Sequence, residues 1–542
     1  MTDIILIQPP VRDFYLTVKR TIPYGLSCIA AALRKEGFSV KIIDGLSTSK
    51  SRIIDLPEEM GYLRQFYAGP DRSPFGLFHH YRHFGYGFEH IGRTAGNSGA
   101  FLVGISALFT PYFREALKVA ESVKRFLPTC RIVIGGHHPT ALYEHAMEHP
   151  AIDFAIRGEG EVSMPLLARA LKTNTAVDSI PGIVFRNKDG TLYAGKPAFT
   201  ADLDRLPLSA IDLVKNQFYQ RKHNGSAVIT ASRGCPLKCT YCCLGAASPI
   251  PFRQRSVKSV IEEIERAVFQ YHVRFIDFED ENLSFDKHWF RHLLHEISRC
   301  FKGYDLEIRA MNGLLPATLD DDTVHDMQIA GFKTLNLSLG SSSRIRLERF
   351  NRPDSRKAFD RVLESAERYG MNAVGYVIAG APDQTPEESL DDLIYLAARR
   401  VLAGISVFYP APGSRDYEQC EALKILPDTF SLMRSSALPV SHTTSGKEAV
   451  TLLRLGRILN FMKYLSDTEI LPVGASRRHA AAKQTDARME AGRKLLGMFL
   501  SDAKIRGQTP EGDIFEHNVS TRLTRRFIKK LRDIRIRGSI VK

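Results

Sequence analysis

The sequence contains two separate series of short apolar runs that alternate with helical patterns. These two series restrict the possible folds of the chain more than any other feature. The first series occupies residues 1–175, and its apolar runs predict the strands Ile4–Ile7, Val40–Ile43, Leu102–Ile105, Ile132–Ile134 and Phe154–Ile156. Helical patterns such as Gly25–Lys35 and Phe113–Phe126 lie between them. Strands that alternate with helices favour a mostly parallel sheet covered on both faces. We therefore expect a doubly wound, Rossmann-like α/β domain.

The second series begins at residue 226. Its apolar runs predict the strands Ala227–Ala231, Phe275–Phe278, Leu306–Ile308, Thr334–Leu337, Ala373–Ile378 and Ile405–Phe408. Helical patterns such as Val260–Tyr271 and Arg356–Tyr369 separate these strands, and no dinucleotide-binding glycine fingerprint accompanies them. Six such units favour a partial (β/α)6 barrel of the TIM type.

The length of 542 residues also requires more than one core, because single cores stop growing near roughly 250–300 residues. We predict a first domain over 1–175, a linker and hairpin over 176–225, a barrel over 226–415 and a helical, basic region over 416–542. The first domain contains an insertion, residues 47–99, that is rich in aromatic residues, His and Gly. Its aromatic content argues against disorder, so it is expected to form a cover, a lid or a packing patch.

No stretch approaches the roughly 18 consecutive apolar residues of a membrane span. The apolar run Ile4–Ile7 is short and follows no basic segment, so it predicts a strand in a cytoplasmic protein, not a signal peptide. Four of the eight cysteines fall between Cys235 and Cys243. This grouping favours a metal site over a disulfide framework.

The net charge of +14 is concentrated at the C-terminus. Residues 521–542 hold nine Lys or Arg residues against one acid, Asp533, and therefore carry a charge of +8. Phe527, Leu531 and Ile534 form an apolar stripe at helical spacing. Such a helix either docks on its own protein or makes a peripheral contact with an anionic membrane surface. No nucleic-acid-binding motif accompanies it.

The segment ASRGCPLKCTYCC contains the spacing C-x3-C-x2-C at Cys235, Cys239 and Cys242. Three thiolates on one loop can hold a [4Fe–4S] cluster and leave one iron open to a chelating ligand. A structural zinc site would need four ligands, and no second cysteine or histidine pair provides them. Cys243 directly follows Cys242 and points elsewhere. The loop follows a predicted strand, at the edge where barrel active sites are built.

This spacing, with the aromatic Tyr241 before the last cysteine, resembles the radical S-adenosylmethionine superfamily. In that family the open iron binds the amino and carboxylate groups of S-adenosylmethionine, whose reductive cleavage yields a 5′-deoxyadenosyl radical. The resemblance implies that the sulfonium cofactor is contacted by Tyr241, Asp280, Glu281, Arg309, Ser338 and Gly380. The two acids would hold the methionine ammonium and Arg309 the carboxylate. Ser338 stands where relatives commonly have a glutamate, so a ribose contact there would need a hydroxyl or the backbone.

The N-terminal domain resembles the leading domain of cobalamin-dependent members of that superfamily. Ser106-Ala107-Leu108 closes the third predicted strand and Gly135-Gly136 the fourth, and small residues there let a bulky ligand approach the backbone. The resemblance implies cobalamin contacts from Ser106, Leu108, Thr110, Gly135, Gly136, His137, Thr140, Gly158 and Glu159. The D-x-H-x-x-G motif is absent, and Gln8-Pro9-Pro10 stands in its place. Cobalt should therefore lack a histidine ligand from that loop, with His137 and His138 as loop or tail contacts.

The two resemblances together imply a cobalamin-dependent radical enzyme that methylates an unactivated carbon of a small-molecule or lipid-like substrate. They also imply a reductant such as flavodoxin or ferredoxin. An oxidative cyclase of the anaerobic Mg-protoporphyrin type is the alternative. A transfer-RNA methylthiotransferase would need a second cluster, whereas the N-terminal domain contains only Cys28 and Cys130. A non-catalytic cobalamin carrier or sensor would not need the three cysteines.

Overall fold

The structure, a computed structural model, describes residues 2–16, 21–67, 69–244, 250–469 and 487–539. Its N-terminal part contains, in chain order, β1 (Ile4–Gln8), β2 (Val11–Asp13), α1 (Tyr24–Lys35), β3 (Val40–Asp44), β4 (Ser51–Ile53), β5 (Arg82–Phe84), α2 (Phe88–Gly96), β6 (Leu102–Ser106), α3 (Phe113–Phe126), β7 (Arg131–Gly135), α4 (His137–Ala141), α5 (Tyr143–Met147), β8 (Phe154–Ile156), α6 (Gly160–Thr173), β9 (Ile183–Arg186) and β10 (Leu192–Ala194). All five predicted strands of the first series are confirmed, and so is the predicted hairpin, formed by β9 and β10.

Seven of these strands form one sheet in the order β10-β9-β8-β7-β6-β1-β3. Five of them, β8, β7, β6, β1 and β3, pair in parallel. The hairpin of β9 and β10 is added antiparallel beside β8. Successive residues of β1 point to opposite faces. Ile5 and Ile7 therefore enter a core beneath α2 and α3, while Ile4 and Leu6 enter a second core beneath α1 and α6. This is the expected doubly wound arrangement.

The second half contains β11 (Gly225–Ile229), β12 (Ser232–Arg233), β13 (Arg253–Gln254), α7 (Val257–Glu265), β14 (Val273–Phe278), α8 (Lys287–Cys300), β15 (Glu307–Ala310), α9 (Asp321–Ala330), β16 (Thr334–Gly340), α10 (Arg344–Arg349), α11 (Arg356–Arg368), β17 (Asn372–Ala379), α12 (Pro386–Ala397), β18 (Leu402–Val407) and α13 (Arg415–Ala422). β11-β14-β15 and β16-β17-β18 are parallel ladders, and bridges such as Leu314–Leu337 join them. The six predicted strands of a partial barrel are thus confirmed.

Polar caps begin several helices that follow the barrel strands. Asp286 caps α8, Asp320 caps α9, and Thr385 forms a capping box with Glu388 at the start of α12. Each cap accepts a hydrogen bond from a backbone N–H that has no partner within its helix. The helices pack on the outer faces of the strands, where Ile276, Ile308 and similar residues form the largest core of the protein.

The C-terminal region contains α14 (Gly446–Glu469), α15 (Ala487–Asp502), β19 (Arg506–Gln508), β20 (Ile514–Glu516) and α16 (Thr521–Arg532). The predicted helical character is confirmed, but the sequence pattern did not reveal the antiparallel hairpin of β19 and β20. Strands of three residues are too short to display a two-residue period. Residues 470–486 and 540–542 of the predicted region lie outside the described residues.

The aromatic insertion packs on the C-terminal region. β4 and β5 form a small antiparallel sheet with β2, and Phe66 and Tyr67 share a core with Leu438 and Val450. Phe75 is fully buried in the barrel core, with its ring 5.6 Å from that of Phe461. The insertion is therefore a packing element that joins the first domain to the end of the chain.

Helix α16 docks on the outside of the barrel. Leu523, Phe527 and Leu531 are buried in the barrel core, and Arg522 lies 2.7 Å from Glu448 on α14. Lys530 forms an ion pair with Asp391 on α12. Of the two alternatives for this tail, the structure shows the intramolecular one, because the apolar stripe is already covered. None of the helices in the described part of the chain has both the length and the apolar composition of a membrane span.

Candidate active site

The cysteine loop starts where β11 ends, at the carboxyl edge of the barrel. β12 and β13 close its base as a two-residue antiparallel ladder. Gly234, between β12 and Cys235, has a φ of +81°, and a Cβ there would lie 2.6 Å from the carbonyl oxygen of Pro251. Only glycine combines this backbone conformation with so close an approach. The strand, the ladder and the glycine turn together project the three cysteines from one edge of the barrel.

The three predicted thiols lie within this loop. Cys239 is buried, and Cys235 and Cys242 are half-buried. The amide of Asn282, in the turn after β14, donates to Cys235 Sγ over 3.8 Å. Burial raises the pKa of Cys242 to about 12, so metal binding must displace the proton of this thiol. Within the described ranges, no three His, Cys, Asp or Glu side chains surround a single-ion position.

Asp280 and Glu281, the predicted ammonium contacts, hold the start of the cysteine loop. Asp280 is buried, and its Oδ1 accepts hydrogen bonds from the backbone N–H (2.5 Å) and Oγ (2.6 Å) of Ser232. The N–H of Ala231 donates to the same carboxylate over 3.1 Å. Glu281 Oε2 accepts from the N–H of Gly234 over 3.1 Å. Both acids thus fix the backbone before Cys235, and contact with an ammonium stays a prediction for them.

Arg309, the predicted carboxylate contact, lies on β15 with its side chain largely buried. Its Nη2 is 3.8 Å from Asp277 Oδ2 on β14, and burial lowers its pKa. Among the described residues, its Nε is buried without a hydrogen-bond partner. A buried cationic donor without an acceptor fits an incoming carboxylate, since such a group costs free energy until it is paired.

Ser338 and Tyr241 are joined by a residue that the sequence did not indicate. Arg352 donates from Nη1 to Tyr241 Oη over 2.7 Å and from Nη2 to Ser338 Oγ over 3.0 Å. The ring of Tyr241 stands edge-on to Phe350, with centroids 5.2 Å apart. Arg352 therefore ties the cysteine loop to the end of β16. It lies in an irregular segment between two helices, where no periodicity or motif marks it.

Gly380 follows β17 in the left-handed conformation, with a φ of +78°. A Cβ at this position would lie 3.0 Å from the ring of Pro439. The turn that it begins is closed by the buried Gln384, whose amide donates to the carbonyl of Ile378 over 3.0 Å. The predicted glycine turn therefore lies at the carboxyl edge of the barrel, beside the C-terminal region.

At the corresponding edge of the N-terminal sheet, the backbone itself shapes the surface. Ser106 ends β6 and pairs with Gly135 at the end of β7. A Cβ on Gly136 would lie 2.6 Å from the carbonyl oxygen of Ala107, whereas a Cβ on Gly135 would meet no atom within 4 Å. Leu108 is 46% exposed. The edge thus offers open space and an apolar side chain beside tightly packed backbone.

The histidines after β7 occupy different environments. His138 is buried, with Nδ1 3.3 Å from Thr110 Oγ1 and Nε2 3.1 Å from His145 Nδ1. Burial lowers the pKa of His138 to about 3. Both of its ring nitrogens thus have a partner, and its role as a loop or tail contact rather than a cobalt ligand stays a prediction. His137 is exposed at the start of α4.

Thr140 and Gly158 connect the loops after β7 and β8. Thr140 Oγ1 donates to the carbonyl of Gly136 over 2.7 Å and accepts from the N–H of Gly158 over 3.0 Å. Gly158 has a φ of +87°, and a Cβ there would lie 2.1 Å from the carbonyl oxygen of Ala198. The glycine is thus required by the approach of another chain segment. Its role in binding a cofactor stays a prediction.

Glu159, the last predicted cofactor contact of this edge, faces the barrel. Its Oε1 lies 2.9 Å from Arg253 Nη2 and 3.3 Å from Arg233 Nη1, which belong to the ladder beneath the cysteine loop. Its Oε2 accepts from the N–H of Thr200 over 2.8 Å. Neighbouring Glu161 lies 2.6 Å from Arg233 Nη2. The structure thus joins the end of β8 to the base of the cysteine loop.

The C-terminal region contacts the loops at the carboxyl edge of the N-terminal sheet. Arg434 donates to the carbonyls of Arg12 (2.7 Å) and Pro111 (3.0 Å) and lies 3.3 Å from Asp13 Oδ2. The ring of Phe430 lies 4.7 Å from that of His145. The carboxyl edges of the sheet and of the barrel therefore face each other.

Comparison with known protein families agrees with both halves of this arrangement. Residues 229–396 match the model of the radical SAM superfamily, and residues 78–168 match that of the B12 binding domain. Residues 229–396 therefore form a radical SAM domain, and residues 78–168 belong to a B12-binding domain. The cofactors of the two domains are a [4Fe–4S] cluster, S-adenosylmethionine and cobalamin.

Relatives of this radical SAM protein are found among enzymes. An uncharacterized methyltransferase of Pyrococcus horikoshii is 26% identical over 431 residues, which cover 78% of this chain and 84% of the relative. An anaerobic magnesium-protoporphyrin IX monomethyl ester cyclase of Synechocystis is 32% identical over 164 residues, or 30% of this chain and 32% of the relative. The structure of the cobalamin-dependent S-adenosylmethionine radical enzyme OxsB superposes with a TM-score of 0.62 at 14% identity. It covers 93% of this chain and 72% of OxsB, and at this identity it shows a shared fold.

The residues of the radical SAM protein fit these groups chemically. Cys235, Cys239 and Cys242 supply three thiolates from one loop, and a four-iron cluster takes one thiolate per iron. Asn282 adds an N–H donor to sulfur, a contact that tunes such clusters. The Nε of Arg309, which has no hydrogen-bond partner in the part of the chain that the structure describes, fits a carboxylate. The open space at Gly135 and the exposed Leu108 fit the bulk of a corrin or of its tail.

Proposed function

We propose that this protein is a cobalamin-dependent radical S-adenosylmethionine enzyme that transfers a methyl group to an unactivated carbon of a small-molecule or lipid-like substrate. The observation that carries this proposal is the juxtaposition of the cysteine loop with the glycine-rich edge of the B12-binding domain. The cluster, S-adenosylmethionine and cobalamin would together supply the carbon radical and the methyl group. Similarity to methyltransferases over most of the chain supports methyl transfer.

The protein's own residues bind and orient the reacting groups. In this proposal Cys235, Cys239 and Cys242 hold the cluster, while Tyr241, Arg309, Ser338 and Gly380 line the position of S-adenosylmethionine. In the same proposal, Asp280 and Glu281 hold the cysteine loop and lie beside the ammonium group of S-adenosylmethionine. The proposed cobalamin contacts are Ser106, Leu108, Thr110, Gly135, Gly136, His137, Thr140, Gly158 and Glu159. The domain boundaries after residues 175, 225 and 415 are part of the same proposal.

The proposed partners are the substrate and an electron donor such as flavodoxin or ferredoxin. A peripheral membrane contact through α16 would have to use its exposed bases, since Leu523, Phe527 and Leu531 of this helix are buried. Within the described ranges, Lys529 and Arg525 are exposed bases of this helix.

Anaerobic reconstitution followed by product analysis tests the proposal. We expect about four irons and four sulfides per chain, together with bound hydroxocobalamin. With dithionite and a metabolite extract, the enzyme should form both 5′-deoxyadenosine and S-adenosylhomocysteine, because one cofactor molecule is cleaved and a second donates its methyl group. Cys239→Ala should abolish the cluster and both products.

The matched control is Cys300→Ala, which removes a half-buried thiol on α8 outside the loop. It should retain full iron content. Loss of the cluster in Cys300→Ala with retention in Cys239→Ala would contradict the site. Formation of 5′-deoxyadenosine without S-adenosylhomocysteine would instead favour the oxidative cyclase alternative, to which the similarity with the cyclase of Synechocystis points.

A further inference from the structure

Two arginines lie opposite each other at the base of the cysteine loop. In the β12–β13 ladder, Arg233 pairs directly with Arg253. Like charges at directly opposite positions destabilise an antiparallel pair. Burial increases this effect, and the two side chains are only 21% and 7% exposed. The ladder therefore requires negative charge close to both guanidinium groups.

The N-terminal domain supplies that charge. Glu159 binds Arg253 through both of its oxygens, at 2.9 and 3.1 Å, and lies 3.3 Å from Arg233. Glu161 lies 2.6 Å from Arg233. We call these four residues the ionic clamp. Two carboxylates balance two guanidinium groups, and the paired bonds between Glu159 and Arg253 are of the directional kind that fixes orientation.

The nearest acids of the barrel bind the backbone of the loop, although Glu281 also interacts electrostatically with both arginines without an ion pair among the described residues. Asp280 accepts from the backbone of Ala231 and Ser232, and Glu281 accepts from the N–H of Gly234. These contacts hold the chain within the loop, whereas the clamp holds the ladder from outside. Arg233 lies two positions before Cys235, so a shift of the ladder moves a proposed cluster ligand.

We propose that Glu159 and Glu161 are positioning residues of the iron–sulfur site. Through the ionic clamp, the B12-binding domain fixes the base of the cysteine loop and sets the separation between cluster and cobalamin. This role rests on the proposed function, because it assumes that both groups bind where the residues fit them. It gives Glu159 a role toward the barrel in addition to its proposed contact with cobalamin, and it gives Glu161 a role toward the barrel as well.

The test uses the full-length, anaerobically reconstituted protein and the variant Glu159→Gln, which keeps the shape of the side chain and removes its charge. Release of iron to a ferrous chelator should be about tenfold faster, because the two buried cations then lose one of the two carboxylates that contact them. Paramagnetic resonance measures the spin–spin coupling between cob(II)alamin and the reduced cluster. In the variant this coupling should be weaker, or its distribution should be broader. Neither measurement depends on turnover.

A second substitution distinguishes the clamp from a general loss of folding. Adding Arg253→Gln to Glu159→Gln removes the uncompensated cation, so iron release should return to within about threefold of the wild type. The matched control is Asp13→Asn, which weakens an equally buried contact between the N-terminal domain and Arg434 without touching the cysteine loop. It should lower the thermal midpoint and leave iron release unchanged.

The outcomes separate the two proposals. Wild-type protein with four irons and cobalamin, but with Glu159→Gln unchanged in iron release and in magnetic interaction, overturns the clamp alone. Equal acceleration of iron release by Asp13→Asn also overturns it, because any loosened domain contact would then suffice. Failure of the wild type to bind a cluster overturns the proposed function and the clamp with it.

Discussion

The two edges that face each other in this protein are built by different means. On the barrel edge, charged side chains hold the cysteine loop: Asp280 and Glu281 bind its backbone, and Arg352 ties Tyr241 to Ser338. On the sheet edge, close backbone contacts at Gly136 and Gly158 shape the loops. A loop that presents thiols must be fixed in position, whereas an edge that receives a large ligand must be kept clear of side chains. Substitutions should therefore act through charge on one edge and through added bulk on the other.

The largest expected effect on the sheet edge comes from Gly136→Ala. Gly136 has φ 124° and ψ −169°, a region that is essentially restricted to glycine. The added Cβ would also lie 2.6 Å from the carbonyl oxygen of Ala107. We expect the free energy of unfolding to fall by about 3 kcal/mol, measured by chemical denaturation.

Gly135→Ala is the matched control for this prediction. Its Cβ would meet no atom within 4 Å, so stability should change by less than about 0.5 kcal/mol. If the open space at Gly135 receives cobalamin, the affinity for hydroxocobalamin should nevertheless fall. A Gly136→Ala protein as stable as Gly135→Ala would show that backbone approach does not shape this edge.

On the barrel edge, Arg352→Lys should have an intermediate effect. Lysine cannot donate to Tyr241 and Ser338 in the fixed fork geometry of arginine. The rate of 5′-deoxyadenosine formation should fall about tenfold, the equivalent of one charge-assisted hydrogen bond, with the iron content unchanged. Arg349→Lys, at an exposed position on α10, should be neutral. Equal rates for the two variants would remove Arg352 from the site.

The smallest effect is expected at Asp392, which holds the loop after β16. Its Oδ1 accepts from Ser342 N–H at 2.5 Å and from Ser341 Oγ at 3.0 Å, while Oδ2 is buried without a partner in the described part of the chain. Burial raises the pKa of Asp392 to about 7. The unfolded chain loses this proton near pH 4, so the carboxyl group lowers stability progressively as the pH rises from about 4 to 7.

The difference between a pKa of about 4 and one of about 7 corresponds to about 4 kcal/mol at pH 8. Most of this gain is offset in Asp392→Asn, because the amide NH2 takes the place of Oδ2 as a buried donor without a partner in the described part of the chain. Asp392→Asn should therefore be more stable than the wild type at pH 8 by about 1 kcal/mol. The difference should shrink as the pH falls toward 4, where the carboxyl group is protonated in both states. Chemical denaturation at several pH values measures it. Asp391→Asn, which alters an ion pair with Lys530, should show no such gain. A gain that is constant with pH would mean that the carboxyl group is not the cause.

Local patterns in the sequence determined most of the architecture. Apolar runs located all eleven predicted strands of the sheet and barrel, because each strand of a parallel sheet is buried and reads as a short apolar segment. The spacing of Cys235, Cys239 and Cys242 likewise located the loop. The resemblance to the radical S-adenosylmethionine superfamily indicated Gly380, whose left-handed backbone conformation admits few other residues, whereas Gly234 was identified only in the structure.

Only the tertiary structure decided what covers and braces these elements. The sequence left the insertion open as a cover, a lid or a packing patch, and it indicated no contact between Glu159 and the barrel. The structure buries Phe75 in the barrel core and pairs Asp71 with His517, 446 positions along the chain. Glu159 binds Arg253, 94 positions away. An ion pair or an apolar contact between distant segments has no period and no fixed spacing, so it exists as a feature only after folding has brought the two segments together.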